Sequence, residues 1–91
     1  MSALINNKGG VVDTTEILKE VNNIFIEILD NDSIVLHNET TANDIEEWDS
    51  LTHIQLIVAI EKHFKIRFAA KEIQKFRNVG DMCEAIKAKF E

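Results

Sequence analysis

Residues 48–64 decide the fold: Trp48-Asp49-Ser50-Leu51, then the apolar run Thr52-His53-Ile54-Gln55-Leu56-Ile57-Val58-Ala59-Ile60-Glu61-Lys62-His63-Phe64. Asp49 and Ser50 stand just ahead of a helical pattern, a place where Asp and Ser act as N-caps. Ser50 is therefore expected at or beside the positive end of a helix, where backbone N–H groups lack intrahelical partners. A phosphate attached there is favourably placed. On the local residues alone, capping is the commoner use of such a pair.

The helix is expected from about Ser50 to His63 or Phe64. At about 100° per residue it carries two apolar stripes. Leu56, Ile57, Ile60 and Phe64 form one, which should face the core. Leu51, Ile54 and Val58 form a second, roughly opposite. A small domain cannot bury both sides fully, so the second stripe is expected to be exposed and to act as a contact surface. The plainer alternative is a central helix surrounded on most sides. His53 falls on the core side, where a lone histidine is packed or hydrogen-bonded rather than catalytic.

Working outward, the 91 residues suffice for one small domain with a thin core. Proline is absent and glycine is limited to Gly9, Gly10 and Gly80, which suits helices and disfavours tight hairpins. Met1 to Val12 is polar and aperiodic and reads as a flexible tail. The domain is expected over 13–91. Asp13 and Glu16 have capping-box spacing and open the first helix. Ile17, Leu18, Val21, Ile24, Phe25, Ile28 and Leu29 form its apolar stripe, with Lys19, Glu20, Asn22 and Glu27 on the other side. Asp30 to Ser33 ends it with turn-forming residues.

Residues 30–48 make a long connection, of a length that is often functional. Ile34, Val35, Leu36, Ile45 and Trp48 should pin it to the helices. Asp30-Asn31-Asp32 does not continue as a calcium loop, because Ile34 and Val35 fall where a ligand and the turn glycine belong. Beyond the central helix, Lys65 to Phe68 alternates like a strand but has no second strand to pair with. It is an extended connector placing Ile66 and Phe68 in the core. Ala70 to about Lys75 is a short helix with Ile73 and Phe76 inward. Asn78 caps the last helix, again with capping-box-like spacing to Asp81, and Met82, Ala85, Ile86 and Phe90 form its core stripe. The fold class is all-α: a small four-helix bundle of three longer helices and one short one, with a long loop between the first two.

The formal net charge of −6 disfavours nucleic acid and anionic membrane surfaces. No apolar run approaches membrane-spanning length and no signal peptide is visible, so no membrane insertion and a cytoplasmic location are expected. Charge is uneven. Residues 43–63 carry one basic and five acidic side chains, and residues 64–77 carry five basic and one acidic. An ordinary solvated face accounts for most such runs. Cys83 is alone, which excludes an intrachain disulfide, and it is expected to be inert. His37, His53 and His63 lack ligand-spaced neighbours, so no metal is assigned. Ser50 has no obvious base in the sequence, and Gly80 belongs to no phosphate-binding loop. No catalytic residue is assigned.

Together these residues resemble the acyl carrier protein family, with its peptidyl and D-alanyl carrier relatives. Asp49-Ser50-Leu51 at the start of the second helix is the signature. Leu56, Ala59, Ile60, Glu61 and Phe64, then Ile66 and Phe68, then Asn78-Val79-Gly80-Asp81 extend it over about Asp13 to Phe90. The resemblance implies that the Ser50 hydroxyl accepts 4'-phosphopantetheine from coenzyme A through a separate phosphopantetheinyl transferase. The arm's thiol then carries acyl or aminoacyl groups as thioesters. The implied partners are that transferase, an acyl-loading ligase and acyl-processing enzymes, met by a monomer. Asp49 would cap the helix and help position the transferase. Leu51, Ile54 and Val58 would be the docking stripe, with Glu47 and Glu61 as acidic contacts. Thr52, Gln55 and Lys62 stand where fatty-acid carriers are often acidic, and Glu47-Trp48 replaces the small residues that commonly precede the Asp. A dedicated carrier in a specialised pathway is expected rather than the housekeeping one. The alternative is an interaction module of the same fold that docks through Leu51, Ile54 and Val58 without an arm.

Overall fold

The computed structural model describes residues 14–90. The proposed tail, and Asp13 as the opening cap of the first helix, lie outside the described residues. Four α-helices follow in order: α1 Thr14–Leu29, α2 Ser50–Phe64, α3 Ala70–Gln74 and α4 Val79–Phe90. No strand occurs among the described residues, and Lys65 to Phe68 is the expected connector.

The helix α1 packs against both α2 and α4. Its stripe supplies Ile17, Val21, Ile24, Phe25 and Leu29 to the core, with Leu18 and Ile28 at the edge. Leu56, Ile57, Ile60 and Phe64 come from α2, as their spacing predicts. Val79, Met82 and Ile86 come from α4, joined by Cys83, which the sequence reading left out of the core stripe. Burial pushes the Cys83 thiol up to about 12, so it stays a neutral, unreactive core group at physiological pH. The helix α2 ends on Lys65 in the left-handed conformation (φ 58°), and the Lys65 and Ile66 N–H groups both close onto the Glu61 carbonyl.

The 30–48 connection is held by polar contacts as much as by apolar ones. Asn22 is half-buried rather than on the free side of α1. Its amide nitrogen donates to the Ile34 carbonyl at 3.1 Å and its amide oxygen accepts from the Leu36 N–H at 2.6 Å. This single side chain satisfies two loop backbone groups. Ile34, Leu36 and Trp48 are buried and Ile45 is partly so, but Val35 is 70% exposed. Burial alternates along this part of the loop, so Val35 faces away from the core that takes its two neighbours. A single 3-10 turn, Ala42–Asp44, breaks the loop and is closed by Thr41 and Asp44.

The loop is also fastened to the start of α4. The Val79 N–H donates to the Thr40 carbonyl at 2.9 Å and the Gly80 N–H to the Asn38 carbonyl at 2.8 Å. A Cβ on residue 80 would stand 2.9 Å from that Asn38 oxygen, so only glycine allows the approach. Asn78 accepts from the Asp81 N–H, as its spacing predicts, while the Asp81 carboxylate accepts from the Arg77 N–H, one residue earlier than a capping box requires.

Candidate functional site

The start of α2 is closed by its own carboxylate. Asp49 is extended (φ −123°, ψ −170°), and one of its carboxylate oxygens accepts from the Leu51 N–H at 3.0 Å and the Thr52 N–H at 2.9 Å. In return the Thr52 hydroxyl accepts from the Asp49 N–H at 2.8 Å and donates to the Glu47 carbonyl at 2.8 Å. This is a capping box with Thr52 in the place usually held by Glu or Gln. Hydrogen bonding, foremost from the Thr52 backbone N–H, holds the Asp49 carboxyl below its ordinary value, so it stays ionised.

Ser50, the first residue of α2, is exposed, and its side chain makes no hydrogen bond among the described residues. The cap leaves the hydroxyl outward and free. It also consumes the Leu51 and Thr52 amides that would have faced a bound phosphate. A phosphate here would not find those two amides open to capture it.

Behind Ser50, Trp48 is buried, with its indole edge-on to Phe25 at 4.9 Å between ring centroids. Its Nε1–H donates to His53 Nδ1 at 3.1 Å, which places the His53 proton on Nε2. Burial lowers the His53 pKa, in keeping with a neutral ring accepting that bond. His53 is thus the hydrogen-bonded residue its position predicts. Trp48, Ser50, His53, Ile54, Phe76 and Arg77 line an open groove between the start of α2 and the far end of α3. The pairing of Phe76 and Arg77 with Ser50 was not visible in the sequence, because the connector and α3 intervene.

The second stripe of α2 is exposed: Leu51 69%, Ile54 63% and Val58 43%. The two carboxylates expected beside it have partners of their own. Glu47 is exposed and accepts from the Asn31 side-chain amide at 3.1 Å. Glu61 is half-buried and accepts from the Phe68 N–H at 2.8 Å, which ties the connector to α2. No group of His, Cys, Asp and Glu among the described residues is arranged to hold a metal ion. No described helix is long and apolar enough to cross a membrane.

An exposed serine opening the second helix of a four-helix bundle, with a free hydroxyl over an open groove, fits a covalently attached arm. The profile of the family described as "Phosphopantetheine attachment site" matches residues 16–86. Such proteins carry 4'-phosphopantetheine covalently and are not themselves catalysts, and this chain belongs to the acyl carrier protein family. It is 32% identical over 72 residues to an acyl carrier protein of Clostridium acetobutylicum, covering 79% of this chain and 94% of that one. Its fold matches the solution structure of the holo acyl carrier protein of Geobacter metallireducens with a TM-score of 0.76 and 51% identity, covering 79% of this chain and 83% of the other.

Proposed function

We propose that Ser50 carries the 4'-phosphopantetheine arm and that the chain presents acyl or aminoacyl groups on it to partner enzymes. The observation that carries this is the division of labour at the start of α2. Asp49 does the capping, and the Ser50 hydroxyl is left exposed and unbonded. The Ser50 oxygen bonds the pantetheine-side phosphorus of coenzyme A as the pyrophosphate P–O bond breaks, adenosine 3',5'-bisphosphate leaves, and the hydroxyl proton passes to a base supplied by the transferase. No histidine or carboxylate of this chain bonds Ser50 among the described residues, which supports assigning the base to the transferase. When bound, the arm supplies a terminal thiol that holds the cargo as a thioester.

Leu51, Ile54 and Val58 form the docking stripe of this reading, with Glu47 beside the cap and Glu61 on the inner edge. A dedicated carrier of a specialised pathway is supported by the composition of α2. Thr52 completes the cap, Gln55 and Lys62 are exposed, and Glu61 is the helix's one carboxylate. The reading is tested by incubating the protein with coenzyme A and a broad-specificity phosphopantetheinyl transferase and recording the intact mass. Wild type is expected to gain one arm and Ser50→Ala none. An arm retained in Ser50→Ala would overturn the assignment. The armless alternative predicts that partner binding survives Ser50→Ala and is lost in Val58→Glu.

A further inference from the structure

The ring of His53 has two nitrogens, and the fold uses one. Side chains on a helix lean back toward its N-terminus, over the residues three and four positions earlier. For His53 those residues are Ser50 and Asp49. Trp48, still further back, holds the ring in that attitude: its Nε1–H donates to His53 Nδ1 at 3.1 Å, and the two rings lie within 20° of parallel. Trp48 is buried, so the ring is tethered to a fixed point. With Nδ1 the acceptor, the proton sits on Nε2. That N–H has no partner among the described residues, and the half-buried ring lines the groove on which Ser50 stands. The charged groups on the same groove are engaged, Asp49 with the cap and Arg77 with Asp81 at 3.6 Å. The backbone donors of the first turn are taken as well. Leu51 and Thr52 give theirs to the Asp49 carboxylate, and His53 gives its own to the Asp49 carbonyl at 2.8 Å.

We infer that His53 is a positioning residue for the arm: its Nε2–H donates to a free oxygen of the phosphodiester on Ser50 and turns the arm along the groove toward Phe76. This rests on the Ser50 reading above and adds the side chain that orients what Ser50 carries. Residues three apart on a helix have their Cβ atoms about 5–6 Å from one another, a gap that an imidazole and an ester phosphate span together. A neutral donor facing an ionised oxygen makes a charge-assisted bond, stronger than one between neutral groups. The same closeness has a second effect. A negative phosphate beside the ring favours its protonated form, so attachment of the arm raises the pH at which His53 titrates relative to the armless protein.

The test compares armless and arm-bearing protein by NMR across the histidine range, after intact mass has established that the arm is on. In wild type the His53 ring resonances are expected to titrate at higher pH once the arm is attached. The arm's phosphorus resonance should move with pH at that same midpoint. A phosphodiester does not titrate there, so the movement reports the ring. Two variants separate the two nitrogens. His53→Asn keeps an acceptor for Trp48 and falls short of the arm. His53→Gln has an amide that reaches as far as Nε2. Nuclear Overhauser contacts between the arm's methyl groups and Phe76 are expected to be lost in His53→Asn and kept in His53→Gln, with a pH-independent phosphorus resonance in both. Equal His53 midpoints with and without the arm, or a wild-type phosphorus resonance that ignores the ring, overturns the contact and leaves the Ser50 reading standing, because the mass already shows the arm. Overhauser contacts kept in both variants, or lost in both, overturn the donor role. No arm on wild type would sink the Ser50 reading and this contact with it.

Discussion

The two faces of α2 carry similar residues and have opposite fates. Leu56, Ile57, Ile60 and Phe64 are buried against α1 and the rest of the core, while Leu51, Ile54 and Val58 stand in solvent. Hydrophobicity does not separate them; the number of neighbouring elements does. Helix α1 covers one side of α2, helped by Trp48 of the loop at its start and Phe90 of α4 at its end, while Leu51, Ile54 and Val58 on the other side stay exposed. What remains exposed is a strip that begins at Ser50, so the same helix that anchors the core offers the site and the surface on which a partner would read it.

That contrast can be broken most severely from inside. Ile60→Ala removes a fully buried side chain at the contact of α2 with the core. It is expected to cost about 2–5 kcal/mol, read as a lower urea midpoint with arm transfer reduced in step with the unfolded fraction. Asp49→Ala acts where the two faces begin. It strips the acceptor from the Leu51 and Thr52 amides and should lower Tm by less than Ile60→Ala, while slowing arm transfer at temperatures where the protein is fully folded.

The same carboxylate sets an acid limit. Its folded value is depressed, so its contribution is complete above the unfolded value of about 3.9 and is lost as pH falls through the folded value. His53 acts at milder pH. Its folded value is also depressed, and the unfolded chain takes up a proton first, so stability falls as pH drops below about 6.5. Protonation of Nδ1 also forfeits the Trp48 hydrogen bond. Thermal melts between pH 7.5 and 5.5 should show this loss in wild type and a flatter response in His53→Gln. The mildest change to stability lies on the outer face. Leu51→Ala and Val58→Ala should each leave the unfolding free energy within about 0.5 kcal/mol of wild type, yet weaken binding to the transferase. Loss of stability comparable to Ile60→Ala would mean that the two faces are not distinct.

The core stripe of α2, its boundaries and the exposure of the second stripe were legible because they follow from periodicity along one helix. So was the Asp49 cap, whose partners lie within three residues. Val35 was misjudged because burial in an extended loop alternates residue by residue, and nothing local tells which parity faces inward. Asn22 was misplaced for a related reason: it takes its role from loop backbone 12 and 14 residues further on. Glu61 is legible as an exposed-edge acid but not as the acceptor for Phe68, and Gly80 as a helix-opening glycine but not as the place where the loop touches α4. In each case the missing information was the approach of two backbones brought together by tertiary packing.

Trp48 has a consequence of a different kind. It is the chain's one tryptophan, and there is no tyrosine, so nearly all absorption at 280 nm and all the indole emission come from a single ring. One edge of that ring meets Phe25 in the core, and the same side chain lines the groove beside Ser50. The protein therefore holds one intrinsic optical probe that touches both its packing and its point of modification. Near-ultraviolet dichroism and emission wavelength can follow unfolding, and a spectral change without unfolding would report an arm or cargo settling into the groove, with no label added.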